Sequence, residues 1–274
     1  MLPRNFHLTF KPERQYIREL LRFAAAGESG DYQYISKYTG IPMGESSGKV
    51  PAIFDYCRGM GLIKYYIQQR SKIKTPELTD FGRTVFRDDP FLKLEVTQWI
   101  AHFNLCNPIT GAEIWNYTFQ RILKNLGNKI QREELDHQLN LILGINNKNS
   151  IGPMVGMYED QAAFFNCGVL SEKDGYILRK IAPIKDELVR GYGAWISQLI
   201  MDNFPDNLQV TINELEVKSG WRSISGWTNP NSLRILELIE KKGIVRIDRQ
   251  MSPWIIQANA TIDQNWKNIY LDYI

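Results

Sequence analysis

The sequence is short of the residues that pair for redox or metal chemistry. Its three cysteines, Cys57, Cys106 and Cys167, form no Cys-x-x-Cys and leave an odd count. They are expected as buried thiols in a reducing cytoplasm. His7, His102 and His137 are scattered, so a zinc site is not expected. No apolar run reaches the roughly 18 residues that span a bilayer, and even Gly193-Ala194-Trp195-Ile196 is soon interrupted by polar residues. Met1 to Phe10 has no apolar core segment, and no signal peptide is expected. A Walker A loop and a Gly-x-Gly-x-x-Gly turn are both missing, which argues against nucleotide binding. No heptad run offers a dimerisation helix.

What is present suits folded domains. The 274 residues, 12% aromatic and 23% charged, can bury a core and make one large or two to three small domains. The net charge of +3 is unevenly spread. Residues 1–87 carry 14 Lys and Arg against 8 Asp and Glu, whereas the remainder carries 19 against 22. That asymmetry directs an anionic partner to the N-terminal third.

The clearest pattern is at the start. Tyr16, Ile17, Leu20, Leu21 and Phe23 share one face of a helix that Pro12 can open and Gly27 ends. Asp31 is placed to cap a short second helix to Thr39, and Gly40-Ile41-Pro42 makes a turn. A third helix is expected from Ser46 to Arg58, then a Gly59-Met60-Gly61 stop and a strand over Leu62 to Gln69. Three helices and a hairpin is the winged-helix order. The same order recurs twice: helices at 113–126 and 131–143 with a third ending at Cys167-Gly168-Val169-Leu170, then helices at 185–203, 212–219 and 231–240 followed by strands at 245–249 and 254–258. The expectation is a mainly α, α+β chain of tandem winged helix-turn-helix units with small β-hairpins. Its domains are a winged-helix DNA-binding domain at 1–87, a helical connector and second helix-turn-helix-like unit at 88–182, and a C-terminal winged-helix-like domain at 183–274. The connector carries Leu92, Val96, Trp99, Ile100 and Phe103 at helical spacing, and the aromatic tail from Trp266 is expected to dock as a short helix.

Double-stranded DNA is the partner this pattern suggests, because a recognition helix presents its N-terminal residues to base edges while a wing meets phosphates. In the first unit those residues are Ser46, Ser47 and Lys49, with Lys64, Arg70, Lys72 and Lys74 on the wing. In the third they are Arg222, Asn231 and Arg234, with Arg246 and Arg249 in the hairpin. The second unit opens its third helix with Ile151, Pro153, Met154 and Val155, a face suited to packing on protein.

An ordered set of segments carries a family likeness. Leu78-Thr79-Asp80-Phe81-Gly82, Asp89-Pro90-Phe91-Leu92, Thr97-Gln98-Trp99-Ile100-Ala101-His102-Phe103 and Trp115 resemble a bacterial domain of formerly unknown function. That domain occurs in SspB-type proteins of DNA phosphorothioation, an antiphage defence. Phe10-Lys11-Pro12-Glu13-Arg14, Gly40-Ile41-Pro42 and Ser47-Gly48-Lys49-Val50 extend the resemblance over roughly 10–260. Many relatives begin with a Gly-His-Glu-Thr-Phe-like segment. Here His7-Leu8-Thr9-Phe10 stands in its place without the glutamate, so no role of that glutamate carries over. The resemblance implies DNA as partner and a place beside a cysteine desulfurase and an ATP-using sulfur-transfer protein. It also implies strand nicking that opens the backbone for sulfur insertion, with Mg²⁺ or Mn²⁺ as the cofactor of such a nickase.

A metal-dependent nickase needs clustered carboxylates. Asp206 with Glu216-Val217-Lys218 matches a PD-(D/E)xK nuclease string, but that motif needs Glu-x-Lys on a strand, and 211–220 reads as a helix. Asp88, Asp89 and Glu95 read as the acidic start of the connecting helix. His102 is expected in the core, and His137 on a solvated helix face. A transcription regulator without catalysis, or a scaffold whose units pack on protein, remain alternatives to the DNA-processing reading.

Overall fold

A computed structural model describes residues 1–45, 48–65, 72–144, 151–207, 209–250, 252–259 and 261–273. The chain divides into two compact units, Met1–Lys180 and Ile181–Ile274.

Unit one opens with α1 (Arg14–Ala25), α2 (Tyr32–Thr39) and α3 (Lys49–Gly59). Helix α1 buries Ile17, Leu20, Leu21 and Phe23 along the predicted stripe. The Asp31 carboxylate accepts the Tyr34 N–H at 2.8 Å and so caps α2. Two short strands follow, β1 (Ile63–Lys64) paired antiparallel with β2 (Glu77–Leu78). Gly30, just before α2, bridges to Lys74, ahead of β2. Helices α4 (Asp80–Asp88) and α5 (Glu95–Leu105) form the connector. Asp89, 6% exposed, organises the turn between them, because its carboxylate accepts the Lys93 and Leu94 N–H groups and the Thr97 hydroxyl. The expected acidic start of this helix is therefore a buried cap.

The second half of unit one contains α6 (Glu113–Tyr117), a π-helical turn over Thr118–Ile122, α7 (Leu123–Leu126) and β3 (Lys129–Gln131). Helices α8 (Arg132–Leu143) and α9 (Gly152–Glu159) lead to β4 (Leu170–Lys173) and β5 (Tyr176–Arg179). The antiparallel sheet runs β3–β5–β4. Helix α9 stops at Glu159, short of the expected Cys167.

Unit two repeats that order. The long helix α10 (Asp186–Asn203) buries Leu188, Val189, Tyr192, Trp195, Ile196 and Leu199. Then come β6 (Gln209–Thr211), α11 (Ile212–Ser219), α12 (Trp221–Ser225), α13 (Asn229–Lys241), β7 (Val245–Asp248) and β8 (Ile255–Ala258). Its sheet is ordered β6–β8–β7, so the strand before the helices lies beside the last strand of the hairpin, as in unit one. The short α14 (Ile262–Lys267) and a 3-10 turn at Leu271–Tyr273 close the unit. The fold is thus mixed α and β, helix-rich with small antiparallel sheets. No helix among the described residues is long and apolar enough to cross a membrane.

Candidate nucleic-acid interface and a polar cleft

The two helices expected to present side chains to DNA differ in what they expose. Helix α3 buries Val50, Ala52, Ile53, Phe54, Tyr56, Cys57 and Gly59, and Asp55 and Arg58 pair with each other at 2.7 Å. A helix apolar nearly all round belongs inside a core. Lys49 at its start pairs with Glu13 and lies 5.0 Å from the Tyr16 ring centroid. Lys64 pairs with Glu77 at 3.4 Å. Lys74 lies over the rings of Tyr32 and Tyr65, at 5.5 and 5.3 Å, and Lys72 is exposed. Ser46, Ser47 and Arg70 lie outside the described residues.

Helix α13 is built the other way. Ile235, Leu236 and Ile239 are buried, whereas Asn229, Pro230 and Arg234 are exposed and Asn231 is half-buried. Its Thr228 cap accepts the Asn231 N–H. Arg222, from α12, donates to Asn229 Oδ1 at 2.8 Å and to Asn213 Oδ1 at 3.4 Å, joining all three helices at the surface. Arg246 is exposed on β7. Arg249 pairs with Glu240 at 2.6 Å and lies over Trp254. Trp221 and Trp227 are buried packing residues.

The Glu216-Val217-Lys218 part of the nuclease-like string lies on a helix, not on the strand that motif needs. Asp206 is exposed in a turn, and Glu216 and Lys218 sit on α11. Glu216 accepts the Arg222 N–H at 2.8 Å and the Ser223 hydroxyl at 2.6 Å, so both its oxygens hold the start of α12. Among the described residues no three His, Cys, Asp or Glu side chains cluster as a metal site. An all-protein cage for a divalent cation is therefore not assembled among the described residues. His102 is fully buried, with Nδ1 2.7 Å from the Tyr158 hydroxyl.

Sequence reasoning missed a cleft of about 880 Å³ in unit one, lined by the His7–Lys11 segment, α9, and the start of α8. Two consecutive non-glycine residues there, Leu8 (φ 46°) and Thr9 (φ 71°), are left-handed. L-residues avoid that region, and such strain concentrates at functional sites. The turn is held by Phe10 N–H to His7 O at 2.7 Å and by Thr9 N–H to His7 Nδ1 at 3.1 Å. His7 is 8% exposed, and burial lowers its pKa to about 4. Around it, Lys11 pairs with Asp160, Arg132 pairs with Glu172, and Glu159 accepts the Glu172 N–H at 2.7 Å. Lys11 beside Asp160 holds that carboxyl below its usual range. The one signal in the sequence was the relatives' histidine-containing segment, which His7-Leu8-Thr9-Phe10 partly matches.

These two units, each carrying a β-hairpin folded against helices, define a helix-rich α+β class. The profile of a family described as protein of unknown function (DUF4007) matches residues 7–155, more than half of the chain, and the chain belongs to that family. A magnesium ion-bound crystal structure of SspB is similar at a TM-score of 0.66 and 13% identity, over 98% of this chain and 86% of that one. A second SspB crystal structure is similar at 0.65, with the same identity and coverage. Comparison with curated proteins found no match.

Proposed function

We propose that the chain is a DNA-binding component of a bacterial DNA phosphorothioation-type defence system, and that unit two is its winged helix. The observation that carries this reading is α13. Its N-terminal half offers amide and guanidinium groups to solvent, its other face is core, and Arg222 ties it to the preceding helices. The hairpin supports the same reading, since β7, paired with β8, packs on that helix in the manner of a wing. The membership in DUF4007 and the fold similarity to SspB support the system assigned.

In this reading Asn229, Asn231 and Arg234 meet the major groove, while Arg246 and the hairpin meet phosphates. The cysteine desulfurase and the ATP-using sulfur-transfer protein are the partners it brings. Nicking is the activity the resemblance adds. No cluster of three or more ligating side chains stands among the described residues to hold the Mg²⁺ or Mn²⁺ it would use, so no catalytic step is assigned to them. Two assays test the reading: duplex affinity across a salt series, and relaxation of supercoiled plasmid with Mg²⁺ or Mn²⁺, with and without chelator. Absence of duplex binding at low salt overturns it.

A further inference from the structure

The cleft in unit one has a chemistry that narrows its occupant. Its wall combines two cations, Lys11 and Arg132, with two carboxylates, Glu159 and Glu172, and an apolar side made by Leu8 and Ile114. A bare anion would meet both carboxylates there. A purely apolar ligand would take these charged groups out of water and return no hydrogen bond, although Lys11 is paired with Asp160 and Arg132 with Glu172. The fitting ligand carries an anionic group, hydrogen-bond donors and a flat apolar body together. At about 880 Å³ the space is in the range of organic-ligand sites.

His7 makes the cleft more than a crevice. Its Nδ1 accepts the Thr9 N–H, so the ring proton of the neutral imidazole stands on Nε2. That Nε2–H is not among the enclosed, unpartnered polar atoms of the described residues, and His7 lines the cleft. With its pKa lowered to about 4, the ring remains a neutral donor at physiological pH. The left-handed Leu8 and Thr9 shape the turn that fixes this tautomer. On the opposite wall, Gly152 and Gly156 lie four residues apart on one face of α9. A Cβ on Gly156 would stand 3.3 Å from Lys11 Cδ, so the missing side chain gives the lysine stem its path along the helix.

We propose that this cleft binds a nucleotide unit, its phosphate facing the Lys11, Arg132 and His7 donors and its base edge facing the carboxylates. It does so without a glycine-rich phosphate loop. Two sources share this chemistry, a free mononucleotide and a nucleotide of a DNA strand. The inference does not rest on DNA binding by unit two.

The test uses the full chain, calorimetric titration and the ring NMR signals of His7. The probes are the four deoxynucleoside 5′-monophosphates and a short single-stranded oligonucleotide, with inorganic phosphate and glutamate as controls. Saturable binding by a mononucleotide, with the His7 signals shifted, supports the site with a free nucleotide as its source. Saturation by the oligonucleotide alone supports it with a strand as source. His7→Leu and Lys11→Gln should each weaken binding by about tenfold, the loss expected for one hydrogen bond involving a charged group. Lys11 is a partly exposed rim residue, so its variant reports even where His7→Leu is poorly folded. Arg234→Glu, which the DNA reading needs, should leave nucleotide affinity unchanged. Absence of saturation by every nucleotide probe, parental affinity in both cleft variants, or a preference for glutamate would overturn the proposal.

Discussion

His102 Nδ1 and the Tyr158 hydroxyl stand 2.7 Å apart in the core of unit one, and that hydroxyl also accepts the Trp115 indole N–H at 3.0 Å. One oxygen therefore links α5, α6 and α9. All three side chains are essentially unexposed, and burial raises the tyrosine pKa well above its ordinary value. Tyr158→Phe keeps the ring but strands a donor and an acceptor. Each costs about 1–3 kcal/mol, so the urea midpoint should fall by the equivalent of about 2–6 kcal/mol at unchanged slope. A midpoint equal to that of the parent would show that the hydroxyl holds nothing together.

Gly82 gives physical content to the Leu-Thr-x-x-Gly segment. A Cβ there would lie 1.8 Å from Leu62 O, a carbonyl that also accepts the Thr79 N–H at 3.1 Å. Helix α4 can rest on the exit of α3 only without that atom. Gly82→Ala should cost about 3 kcal/mol or more, since backbone and not a movable side chain is struck. Thermal unfolding checks this, and a loss below about 1 kcal/mol would be incompatible with so close an approach.

His7 sets a pH dependence whose sign follows from its pKa. The folded value of about 4 lies below the ordinary 6.5, so between these values the unfolded chain binds the extra proton. Stability contributed by His7 is complete above about 6.5, declines as pH falls, and is gone below about 4. The full loss is about 3 kcal/mol. The charged groups sharing the cleft, Lys11, Arg132, Glu159 and Glu172, also shape the curve, so the comparison is with His7→Gln. The difference between the two stability curves should grow from pH 6.5 towards 4. A His7 ring titrating near 6.5 by NMR would refute the burial argument.

Glu216 offers a direct contrast between structural and catalytic readings. Because its oxygens accept Arg222 N–H and Ser223 hydroxyl, Glu216→Ala should cost about 1–2 kcal/mol through loss of the α12 cap. Asp206→Ala, exposed in its turn, should leave both stability and any metal-dependent plasmid nicking unchanged. Loss of nicking in a folded Asp206→Ala protein would restore the nuclease string as the site.

How legible the molecule was depends on the size of each signal. Helix α1 was readable because five apolar residues mark one face, and α10, α11, α13, β7 and β8 were readable for similar reasons. Strands β3 and β6 are three residues each, too short to show a period of two, although they complete the sheets. The basic count of the N-terminal third was visible, but not that Lys49 and Lys64 are spent on Glu13 and Glu77. The cleft was invisible because His7, Arg132 and Glu159 are far apart in sequence and meet only through the fold.

That distribution of exposed and engaged cations bears on the proposed DNA contact. Arg234 stands on the solvent side of α13, whereas Lys74 is held against Tyr32 and Tyr65. If α13 enters the groove, Arg234→Glu should weaken duplex binding by about tenfold or more, because it removes one attractive contact and adds a repulsive one. If the lost contact is to a phosphate, the slope of log affinity against log salt should fall by about 0.9. If it is to a base edge, the slope should stay and discrimination between sequences should relax. Lys72→Glu with Lys74→Glu tests the hairpin of unit one in the same assay and should weaken all sequences alike if that wing also touches phosphates. Unchanged binding in Arg234→Glu together with a steep loss in the double lysine variant would move the DNA contact from α13 to the first hairpin, despite the apolar surroundings of α3.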